Sequence, residues 1–73
     1  MSNRAEREER IRDLQTQQRA LEKKLAKRIE TLKEMQAGNI KFQRQQGTKD
    51  DIYRIRRDLA DVMNELDSFR RFI

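Results

Sequence analysis

The stretch DDIYRIRRDLADVMNELDSFRRFI, residues 50–73, carries an apolar side chain at every third or fourth position: Ile52, Ile55, Leu59, Val62, Leu66, Phe69 and Ile73. A residue advances about 100° around an α-helix, so these seven side chains form one continuous stripe, with Met63 and Phe72 widening it. A stripe held without a fault over three heptads argues for a helix that buries one side. It also argues against disorder, which the low hydrophobicity and the net charge of +5 would otherwise suggest.

Upstream, Thr48 reads as the N-cap of this helix. Asp50 and Asp51 would place negative charge in its first turn, and Asp51 completes a Thr-x-x-Asp box. The second helix is therefore expected over 48–73. Ala37-Gly38-Asn39 reads as the stop of an earlier helix, because glycine and asparagine tolerate the left-handed conformation a helix C-terminus requires. The segment between, 38–47, is expected to be a loop with Ile40 and Phe42 folded over the bundle end. A single helix running through Gly38 is the alternative, since one glycine costs a helix only about 1 kcal/mol.

The first helix is expected over 11–37, with 1–10 as its charged N-terminal extension, able to begin at Asn3 and expected to project or fray, in which Ala5 is the sole apolar residue after Met1. Asn3 and Glu6 have the spacing of a capping box. The stripe runs through Ile11, Leu14, Leu21, Leu25, Ile29, Leu32 and Met35, with two heptad core slots taken by Gln18 and Arg28. Gln18 is expected to hydrogen-bond across the seam and Arg28 to lay its stem along it, its guanidinium in water. Ile29 beside Arg28 makes a four-residue stutter.

Folding the chain at 38–47 gives an all-α, coiled-coil-like antiparallel helical hairpin within one domain. Its layers pair Met35 with Ile52, Leu32 with Ile55, Arg28 with Leu59, Leu25 with Val62, Leu21 with Leu66, Gln18 with Phe69 and Leu14 with Ile73. In a hairpin each helix covers one side of the other's stripe. The large apolar residues of the second helix represent roughly 20 kcal/mol of burial, more than a marginal domain can leave in water. A second copy is the expected cover, making a four-helix bundle; an unidentified protein partner is the alternative. The self-association residues are Leu14, Leu21, Leu25, Leu32, Ile52, Ile55, Leu59, Val62, Leu66, Phe69 and Ile73.

Charged residues form 42% of the chain, with no proline and two glycines, the composition of long helices. The densest basic window holds Arg19, Lys23, Lys24, Lys27 and Arg28. Arg12, Arg19, Lys23, Lys24 and Lys27 are the candidate nucleic-acid contacts, although no aromatic side chain interleaves them for base stacking. The competing reading is a solvated face with Lys24 near Glu65. The FRRFI terminus is expected to be the last core layer. Membrane binding is disfavoured, because Asp58, Asp61, Glu65 and Asp67 acidify the polar face.

The chain has no cysteine and no histidine, which removes disulfides, thiol chemistry, and the usual neutral-pH base and metal ligand. Its two serines have no candidate base, and its inward positions are aliphatic rather than acidic. No enzyme, cofactor or metal site is expected, and the setting expected is cytoplasmic.

Overall fold

The computed structural model describes residues 3–71, which form two α-helices: α1, Asn3–Ala37, and α2, Phe42–Arg70. Asn3 is helical, but its cap, like Phe72 and Ile73, lies outside what the structure describes of the side chains. The helices run antiparallel as a single hairpin, 58 Å long and 14 Å across in each other direction. Arg10 meets Glu65, Arg28 meets Asp51 and Met35 meets Thr48, so position falls along α2 as it rises along α1.

Helix α1 stops where glycine and asparagine predicted, through a defined motif. The Ile40 amide donates to the Met35 carbonyl at 3.0 Å and the Asn39 amide to Gln36 at 3.4 Å, the paired bonds of a Schellman cap. Asn39 takes the left-handed conformation, with φ 55°, and is the only described non-glycine residue to do so. The single-helix alternative is thereby excluded.

The joint is shorter than expected. Helix α2 begins at Phe42, so the loop is not 38–47, and Gly47 and Thr48 lie inside the helix. Lys41 is the N-cap and makes no side-chain cap bond, and no acid stands in the first turn. The Gln45 side-chain amide instead reaches back to the Ile40 carbonyl at 2.8 Å. Thr48 is buried, with Oγ1 3.5 Å from Met35 Sδ. Phe42 is not folded over the bundle end but is 68% exposed, with Lys49 Nζ 5.4 Å from its ring centroid.

The shorter joint moves the register by about one heptad. Leu14 packs with Val62 and Leu66, joined by Ile11, Leu21 and Phe69, rather than standing at the level of Ile73. Arg28 lies level with Asp51 rather than Leu59, and Glu65 takes Arg10 rather than Lys24. The physical reason is that an apolar pattern repeating every seven residues meshes equally well after a slide of seven. Closure then decides. Starting α2 at Phe42 adds helical backbone bonds and leaves a connection in the usual range for adjacent helices. Gln18 also departs from expectation, donating along its own helix to Glu22 at 3.2 Å rather than across the seam.

Candidate association surface

The core is uneven between the two helices. On α2, Ile52, Ile55, Val62 and Leu66 are buried, whereas Leu14, 1% exposed, is the only buried apolar residue described on α1. Leu21, Leu25, Ile29, Leu32 and Met35 are half-buried, as are Leu59 and Phe69 on α2. Of the eleven side chains assigned to association, five are thus covered within one chain and five keep part of their apolar surface in water. Ile73 lies outside the described residues.

This incomplete cover opens a groove on each side of the seam. One, of about 360 Å³, is lined by Ile29, Leu32, Lys49, Ile52, Tyr53 and Arg56. The other is lined by Gln17, Ala20, Leu21, Asp58 and Val62. The first is floored by three large aliphatic side chains, Ile29, Leu32 and Ile52, and edged by two cations, Lys49 and Arg56; the second is floored by Leu21 and Val62. Tyr53 on the rim of the first is one of the three large hydrophobic residues exposed among those described; the other two, Phe42 and Met63, lie on the same side of α2 before and beyond the groove.

That side of α2 carries a second helical stripe, which the expected boundaries concealed. Phe42, Lys49, Tyr53, Arg56, Ala60 and Met63 follow one another at steps of seven, four, three, four and three residues, a sector of about 80° on α2. With Phe42 assigned to a loop, the series lost its first member, and Met63, expected to widen the buried stripe, is instead 48% exposed on this second one.

The candidate nucleic-acid residues sit elsewhere. Arg12, Arg19, Lys23, Lys24 and Lys27 are all exposed on α1, and none takes part in a described ion pair. Positions 19, 23 and 27 are successive i,i+4 neighbours of like charge, an arrangement that destabilises an isolated helix by a few tenths of a kcal/mol, roughly, per pair. The aromatic side chains that accompany cations, Phe42 and Tyr53, are on α2 instead.

Among the described residues, no three acidic side chains gather into a metal-binding cluster, and no helix is long and apolar enough to cross a membrane. No family model, curated protein or solved structure matches this chain. The functional reading therefore rests on the surface itself.

Proposed function

We propose that this protein is a non-enzymatic assembly or adaptor module, a helical hairpin that associates with itself and acts through protein–protein contacts in a cytoplasmic setting. The observation behind this reading is the half-buried stripe of α1. Leu21, Leu25, Ile29 and Leu32 face α2 yet remain partly wet. Full burial of such a side chain from full exposure is worth about 1.5–3 kcal/mol, and the part still wet on these four leaves a few kcal/mol in sum, a sizeable share of a small domain's stability. Two hairpins stacked face to face would cover the side of that stripe turned toward the contact and close a four-helix bundle.

Multi-angle light scattering tests the proposal directly, since a mass of at least two chains is expected. Leu59→Asp and Val62→Asp should abolish assembly and helicity together, because a fold stabilised by its partner is lost with it. A fully helical monomer at all accessible concentrations would end this reading.

A second reading has one observation in its favour, the row of exposed and unpaired cations on α1. As a nucleic-acid-binding bundle, the protein would retard RNA or duplex DNA near physiological salt. It would lose that binding when Lys23, Lys24 and Lys27 become glutamine.

A further inference from the structure

The two sides of the hairpin are not equivalent, and the difference identifies where a second copy would sit. We infer that two chains pair through the groove floored by Ile29, Leu32 and Ile52 and rimmed by Lys49, Tyr53 and Arg56, with Met63 further along the same side of α2, about a twofold axis parallel to the hairpin's long axis. This rests on the self-association proposed above and adds the face and the orientation.

Size is the first argument. Helix α2, 29 residues and about 43 Å long, lies along α1, so a face 14 Å across projects roughly 600 Å², at the lower end of what each partner contributes to a specific interface. The apolar distribution is the second. Tyr53, 68% exposed, edges this groove together with Lys49 and Arg56, and Met63, 48% exposed, lies further along the same side of α2, whereas the opposite groove is edged by Gln17 and Asp58 with no exposed large apolar residue among those described. Exposed large side chains gathered on one side of an apolar groove are the usual mark of an interaction site.

Charge selects the orientation. An axis crossing the groove at right angles would lay α2 on its own copy, setting Lys49 and Arg56 against the same cations. An axis along the hairpin lays α2 of one chain on α1 of the other and keeps every level unchanged. Arg56 shares its groove with Ile29, while Asp58, half a turn further, is level with Leu21. Glu22 lies between those levels, and it shares the edge of Ile29 because the two are separated by seven residues, nearly two full turns. Arg56 of one copy therefore meets Glu22 of the other, and symmetry makes the pair twice. Lys33, on the same edge of α1, stands near the level of Lys49 and makes one like-charge meeting per symmetry half, which the Arg56–Glu22 pair offsets; the crossed arrangement has like-charge meetings with no opposite-charge pair between the two α2 rims.

Tyr53 and Met63 are exposed within one chain, so Tyr53→Lys and Met63→Lys leave the intramolecular seam intact. The inference expects each to shift sedimentation from two chains toward one at micromolar concentration. It also expects Arg56→Glu and Glu22→Arg to weaken pairing singly, and the double variant to restore it. A dimer insensitive to all four changes would overturn the face while leaving self-association standing. Loss of pairing in the single variants without rescue in the double would overturn the orientation. A monomeric wild type would overturn the inference together with the reading beneath it. A monomer that binds a random single-stranded oligonucleotide, and loses it on Tyr53→Ala, would assign the face to nucleic acid instead.

Discussion

Thr48 lies across the seam from Met35, its Oγ1 3.5 Å from the methionine sulfur, in the interior of α2 rather than at its start. The two roles a threonine can play here respond oppositely to aspartate. At an N-cap, aspartate is as good as threonine or better. In a buried seam, a carboxylate lacking a partner is strongly unfavourable. Thr48→Asp should therefore destabilise the hairpin by about 2 kcal/mol or more, and Thr48→Val by less than about 1 kcal/mol, the worth of one weak hydrogen bond. Thermal melts followed by circular dichroism separate the two; equal midpoints for Thr48→Asp and wild type would place the helix start at Thr48 after all.

Gly47 offers an independent check on the same boundary. A Cβ added there meets nothing within 4 Å. Within a helix, Gly47→Ala should stabilise by about 0.5–1 kcal/mol, which in a domain of this size raises the melting temperature by roughly 2–8 °C. Were Gly47 part of a loop, the substitution would bring no helical gain.

The beginning of α2 is poorly terminated and can be improved. Lys41 makes no side-chain cap bond and brings a positive charge to the end where exposed amides already carry one. Lys41→Asp supplies both an acceptor and the favoured charge, and should add about 1 kcal/mol in urea denaturation, with an unchanged slope.

At the opposite end of the loop, Asn39 holds φ at 55°. A β-branched residue resists that conformation. Asn39→Val should cost about 1–2 kcal/mol, while Asn39→Gly should be neutral or slightly stabilising. The midpoints of the two variants, measured side by side, check the sign.

Leu14 is the best-covered large side chain among the described residues, packed with Val62 and Leu66. Leu14→Ala should cost about 2–5 kcal/mol, enough to unfold much of a marginal hairpin. By contrast Arg10 and Glu65, although joined by three side-chain hydrogen bonds of 3.0–3.3 Å, are each nearly half exposed. A double-mutant cycle on that pair should return no more than about 1 kcal/mol, decreasing with added salt.

Much of this architecture was legible in the chain. The spacing from Ile52 to Phe69, the weaker series from Ile11 to Met35, and the Gly38-Asn39 stop were sufficient to read two helices and the end of the first. These are local properties, set by periodicity and by the conformations single residues tolerate. The misread segment is 42–47. It contains a glycine, begins without a cap, and is followed by Thr48 and two aspartates that imitate a helix start. Local preference argued for a loop there, and pairing with α1 overrode it. The missed stripe of Phe42, Tyr53 and Met63 follows from the same error.

The sequence alone pointed to two amphipathic helices laid antiparallel along these stripes, because each stripe needs cover and the Gly38-Asn39 stop lets the chain turn back on itself. It could not determine which of two registers one heptad apart they adopt, since a seven-residue repeat looks the same to itself after a slide of seven. Only the tertiary structure decided that, through the closure of the turn at Gly38–Lys41 and the burial of Thr48 against Met35. With the register came the groove and the charges that border it.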